Sequence, residues 1–140
     1  MNPNIEETKM KFNKLTPNLV VHNVEASLNF YRSVLGFQPG FTVPDQPPYV
    51  FGSVTSGAVE IFFNDHKAVA EDYPALGAKP IGGSLTLFIE VEGIAEVLAA
   101  VQKNGAKITM PLKDQFYGMR EFAFEAPEGW IVTIAERIKQ

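Results

Sequence analysis

The sequence predicts an α+β domain built from two tandem βαβββ modules, forming a curved mixed sheet with a concave cup and helices on its outside. Three observations lead there. Strand-like alternation, a helical stripe and a glycine stop occur twice along the chain in the same order. The two occurrences superpose at a shift of 70 residues, without a gap through the first strand and helix: Thr16 falls on Thr86, Val21 on Val91 and Leu28 on Leu98. A unit of about 50 residues buries too little surface to stand alone, so the two halves must pair.

Residues 1–13 are polar and aperiodic and read as an N-terminal tail; a single domain follows over 14–137. Leu19 and Val21 alternate as in a strand, and Asn23 suits the N-cap of the helix that follows. Val24, Leu28, Tyr31 and Leu35 recur at helical spacing, and Gly36 suits the left-handed C′ position. PGFTVPDQPP (39–48) reads as a proline-rich loop, then YVFGSV (49–54) and GAVEIFF (57–63) as strands joined by a Thr-Ser-Gly turn. Module one thus spans about 15–64, a linker 65–83, and module two about 84–137. In module two Leu87, Ile89 and Val91 alternate, Ile94, Val97, Leu98 and Val101 form a helical stripe, and Asn104-Gly105 ends it. GMREFAFEA (118–126) and GWIVTIAE (129–136) are again a strand pair, and a third short strand completes each half.

The 140 residues, 46% apolar and 20% charged, have the balance of an ordinary soluble globular domain. A net charge of −4 argues against sequence-independent nucleic-acid binding, which needs clustered Lys and Arg. No apolar run approaches the roughly 20 residues that span a bilayer, so no membrane partner is expected. The start lacks the apolar core of a secretory signal, and a cytoplasmic location is the default expectation. The absence of cysteine removes disulfides, thiolate metal sites and cysteine nucleophiles. No phosphate loop, G-x-S-x-G elbow or zincin spacing occurs. The 11 phenylalanines suit a core, or an aromatic ligand pocket.

LVVHNVEASLNFYRSVLGF (19–37) resembles the opening motif of the vicinal oxygen chelate superfamily, which includes glyoxalase I, extradiol dioxygenases, and fosfomycin and bleomycin resistance proteins. FEAPEGWIVTIAE (124–136) resembles the group's closing strand, and QFYGMREF (115–122) precedes it as in many bleomycin-resistance-like members. The resemblance spans about 15–137 and implies the glyoxalase/bleomycin resistance fold, usually a homodimer, with sites in the cups. Metal-dependent members hold one divalent ion through His, Gln or Glu on the first and last strand of each module. Carried over position by position, those ligand places are Thr16, Glu60, Thr86 and Thr133. Three neutral hydroxyls and one carboxylate make a poor set for a divalent metal, so neither a metal nor another cofactor is expected. His22, at a strand–helix junction, and His66, in the linker, read as structural.

Alternation puts Asn18 and Val20 on the face of Thr16, Phe62 on that of Glu60, Phe88 and Glu90 on that of Thr86, and Ile131 and Ala135 on that of Thr133. This apolar lining with a few polar groups suits a small organic ligand. The candidate ligand-binding residues are Thr16, Asn18, Glu60, Phe62, Thr86, Phe88, Phe116, Tyr117, Arg120 and Thr133. Phe116 and Tyr117 precede Gly118 in an expected rim loop; Arg120 would hold a carboxylate or pair with Glu121 or Glu125. Trp130 reads as a rim platform or an interface anchor. Glu60 is the one candidate catalytic group: a base if burial raises its pKa, a salt-bridge partner for a cationic ligand, or a carboxylate held by Arg120, a threonine or water. The leading reading is a metal-free, bleomycin-resistance-like homodimer that binds, and so sequesters, a partly aromatic or cationic molecule in a hydrophobic cleft. The alternatives are a metal-dependent lyase, isomerase or dioxygenase of the same superfamily, a metal-free enzyme using Glu60, and an interaction module with a filled cup.

Overall fold

In the computed structural model, which describes residues 10–139, module one runs β1 (Asn18–Val21), α1 (Val24–Leu35), β2 (Gln38–Val43), β3 (Phe51–Ser56) and β4 (Val59–Asp65). Two helices, α2 (His66–Asp72) and α3 (Pro74–Gly77), lead into module two. It runs β5 (Thr86–Glu90), α4 (Ile94–Lys103), β6 (Ile108–Asp114), β7 (Met119–Glu125) and β8 (Ile131–Arg137), with a 3-10 turn at Pro127–Gly129. Each half is βαβββ, as the repeat predicts. Most of the expected tail lies outside the described residues.

Hydrogen bonding divides the strands into two four-stranded sheets of identical order, β1-β4-β3-β2 and β5-β8-β7-β6. In each, the first strand runs parallel to the last and the remaining pairs are antiparallel. The registers set Asn18 opposite Phe62 and Val21 opposite Asp65 in module one, and Phe88 opposite Thr133 in module two.

Strand period decides the layers. Leu19, Val21, Val54, Ile61 and Phe63 all point to one face and are buried with Leu28, Tyr31 and Val34 of α1. Phe122, Phe124, Val132 and Ile134 make the matching face of module two, with Ile94 and Val101 of α4. Each such large apolar side chain contributes about 1.5–3 kcal/mol on burial. The Tyr31 ring lies 5.2 Å from Phe63 and 5.9 Å from Phe37. The faces away from the helices are the cup side.

α1 starts and stops as its sequence dictates. The Asn23 side chain accepts the Ala26 N–H at 3.0 Å, and Gly36, at φ 73°, donates its N–H to the Arg32 carbonyl at 3.1 Å. Its N-terminus has a second cap from the other module. The Glu128 carboxylate accepts the backbone N–H groups of His22 at 2.6 Å and Asn23 at 3.0 Å. Trp130, buried, donates its indole N–H to the Val20 carbonyl at 3.2 Å. It is therefore a pin between modules and not a rim platform. Gly82 lies against the same turn at φ 86°, where a Cβ would stand 2.2 Å from the Glu128 carbonyl oxygen.

Two segments differ from the sequence reading. Part of the proline-rich loop is strand: β2 is the outer strand of its sheet, where the missing N–H of Pro39 costs little. Part of the linker is helix: the Asp65 carboxylate accepts the Lys67 N–H at 3.1 Å, Val69 is buried, and Pro74 opens α3. No helix among the described residues is long and apolar enough to cross a membrane.

Candidate functional site

On the cup side of module one, an aromatic strip runs across three strands. The Phe51 ring lies 5.1 Å from Phe62 and 5.2 Å from Phe41, and Phe41 is exposed. Asn18 accepts a hydrogen bond from the Asn64 amide. Thr16 lies before β1 and is half-buried. Glu60 is not the buried base that desolvation would make: its partly buried carboxylate is ion-paired with Lys14. It also stands two residues away from the place equivalent to Thr133. Thr133 is opposite Phe88, and the same step in module one, opposite Asn18, is Phe62.

In module two the Thr86 and Thr133 hydroxyls meet at 2.7 Å, and Thr86 also reaches the Ile131 carbonyl at 3.2 Å. One proton per hydroxyl fits this chain: Thr133 donates to Thr86, which donates to Ile131. With both hydroxyls engaged and Glu60 held by Lys14, the inherited ligand positions do not fit a divalent ion. Among the described residues no group of three or more His, Cys, Asp and Glu is placed to hold one. Glu60 and Phe88 share a cavity of about 360 Å³ that Thr86 and Thr133 do not line. The structure therefore brings candidates together two at a time, Thr86 with Thr133, Glu60 with Phe88 and Asn18 with Phe62, and not as one ring.

Alternation along β7 turns Phe122 and Phe124 to the core, so Met119, Glu121 and Ala123 face the cup. Sequence alone offers Glu121 as a surface partner of Arg120; the structure buries it. It is 3% exposed. The Gln115 amide donates to its Oε1 at a long 3.4 Å, and its Oε2 has no partner. Its neighbours on that face, Ala123, Thr133 and Ala135, are small and buried as well. The Glu121 carboxylate beside Tyr117 pushes that hydroxyl above the usual tyrosine range. Phe116 and Tyr117 occupy the β6–β7 turn, with rings 5.1 Å apart, and Phe116 is 99% exposed.

Arg120 is a correction. It lies on the helix side of β7 and pairs with neither Glu121 nor Glu125. Its guanidinium grips Asp114, its cross-strand neighbour, at 2.6 and 3.1 Å, holding that carboxyl below its ordinary range. The two histidines, read separately from sequence, come together: their Nδ1 atoms are 3.2 Å apart.

The model of the Glyoxalase/Bleomycin resistance protein/Dioxygenase superfamily matches residues 11–134. A search of curated proteins found no match. Among solved structures, a glyoxalase/bleomycin resistance protein/dioxygenase from Nocardioides is 21% identical, with a TM-score of 0.75 over 99% of this chain and 93% of that one. A family enzyme from Burkholderia phytofirmans PsJN is 21% identical, with a TM-score of 0.74 over 88% and 97%. A superfamily member from Sphaerobacter thermophilus DSM 20745 is 20% identical, with a TM-score of 0.74 over 92% and 100%. These likenesses speak for the fold; the match over most of the sequence shows that the chain belongs to the Glyoxalase/Bleomycin resistance protein/Dioxygenase superfamily.

Proposed function

We propose that this protein is a binding member of its superfamily whose cups work without a metal, a homodimer that sequesters a small, partly aromatic, cationic molecule there. The observation that carries this reading is Glu121, a buried carboxylate with one oxygen unpartnered. A buried carboxylate oxygen without a donor is costly, and an ammonium or guanidinium group on a ligand removes that cost. Phe116 and Tyr117, at the adjoining turn, offer aromatic faces to the same ligand. The dimer rests on surface left open in one chain: Phe41, Phe88 and Phe116 are exposed, and a second copy facing the cups would cover them. Catalysis by Glu60 loses its support from the Lys14 ion pair, and metal-dependent chemistry from the threonine positions.

The test is titration of the chain with a panel of aromatic amines and guanidines, by thermal shift and then calorimetry. A charge-assisted hydrogen bond contributes about 1.5–3 kcal/mol, so Glu121→Gln should weaken binding at least tenfold while leaving the circular dichroism unchanged. Equal binding by Glu121→Gln, or selection of neutral or anionic aromatics only, would overturn the proposal.

A further inference from the structure

The parallel pairing of β1 with β4 sets Val21 opposite Asp65, and the next residue of each strand is a histidine. His22 and His66 therefore emerge side by side at the strand ends. Their Nδ1 atoms are 3.2 Å apart and their ring centroids 4.2 Å, with the planes inclined at 63°. Two imidazole nitrogens bound to one tetrahedral ion at about 2.1 Å lie about 3.4 Å from each other. The observed separation is close to that bite without any movement of the backbone.

The backbone is also held on both sides. The His22 N–H is fixed by Glu128 at 2.6 Å, and Asp65, just before His66, caps α2. Asp65 Oδ1 lies 3.7 Å from His66 Nδ1, so a negative charge stands beside the pair. Lys79 opposes it from the wall of the cavity that both rings line, which also has Asn18, Val20 and Trp130 in its wall and measures about 410 Å³. That space leaves room for water or an added ligand on a bound ion.

We propose that His22 and His66 form a two-imidazole site for a divalent transition ion such as Zn²⁺, Ni²⁺ or Cu²⁺, for which imidazole is a suitable donor. The site is open. No third His, Cys, Asp or Glu among the described residues completes a cluster, so binding is weaker than in a closed four-ligand site. It is separate from the threonine positions: His22 follows the end of β1, whereas Thr16 precedes its start. It is independent of the Glu121 reading as well.

The chain's composition makes the test clean. It has two histidines and no cysteine, so any imidazole or thiolate binding can come only from this pair. The full chain, free of any tag, would be titrated with NiCl₂, ZnCl₂ and CuCl₂ in a non-coordinating buffer by calorimetry. The Cu²⁺ form would be read by electron paramagnetic resonance, and the Zn²⁺ form through the imidazole proton signals. One ion per chain is expected, with at least tenfold weaker binding in each of His22→Ala and His66→Ala, a two-nitrogen hyperfine pattern, and movement of both imidazole signals. Parent-like binding in both variants would overturn the proposal. Should a variant fail to fold, imidazole signals that stay in place in the unaltered chain at saturating Zn²⁺ would overturn it equally.

Discussion

Tyr31 packs its ring between Phe37 and Phe63, but its hydroxyl is buried without a hydrogen-bond partner, and burial pushes its pKa up. An unsatisfied buried polar group costs about 1–3 kcal/mol. Tyr31→Phe should therefore raise stability by about 1 kcal/mol, measured by urea unfolding. The pH dependence follows from the same shift. Above pH of about 10 an unfolded tyrosine releases its proton while the folded one keeps it, so stability falls as pH rises. The Phe variant should show a flatter alkaline limb in unfolding curves taken from pH 8 to 11. One oxygen of Glu121 also lacks a partner, but Glu121 is on the cup face of β7, which makes it a binding candidate where Tyr31 is a core defect. The Thr86 and Thr133 positions come from the resemblance, counted from Gly93 and from Ala126, and the structure sets their hydroxyls side by side. Glu121 stands out only once β7 is in place: alternation sends it and Arg120 to opposite faces, and its burial is a product of tertiary packing.

Helix α1 shows how local and distant signals combine. Its Asn23 cap and its Gly36 stop are legible because each acts within four residues of the helix end. Glu128 is not legible, since it reaches α1 across 105 residues of chain. It holds a φ of 66°, a conformation that a non-glycine residue keeps only where its surroundings over-determine it. Replacing Glu128 by Ala removes two charge-assisted bonds and should cost about 1–2 kcal/mol in thermal or urea melts. Trp130→Phe keeps much of the buried ring but loses the bond to Val20, and should cost about 1 kcal/mol beyond its lost packing, by the same measurement. α2 escaped the sequence reading because it is two turns long and depends on the Asp65 cap and the burial of Val69. β2 was hidden by prolines that only an outer strand tolerates.

At the scale of the molecule, duplication made the architecture readable: two halves with the same order of elements leave few ways to pair. What closes the cups was not readable, because it depends on surfaces that strand period leaves outside the core. If a second copy covers Phe88 and Phe116, sedimentation should give twice the chain mass, and Phe88→Glu should shift the protein toward monomer with its circular dichroism intact. The Glu128 and Trp130 contacts carry a different consequence. Between the modules, residues 75–79 are exposed, whereas the polar ends of module one are satisfied by module two. A single protease cut in that stretch should leave two fragments that co-elute and melt together. Separately made halves should reassemble on mixing, while module one by itself would leave its helix end open to water. The covalent link is then dispensable once folding is done, and the duplicated halves behave as two subunits that share one chain.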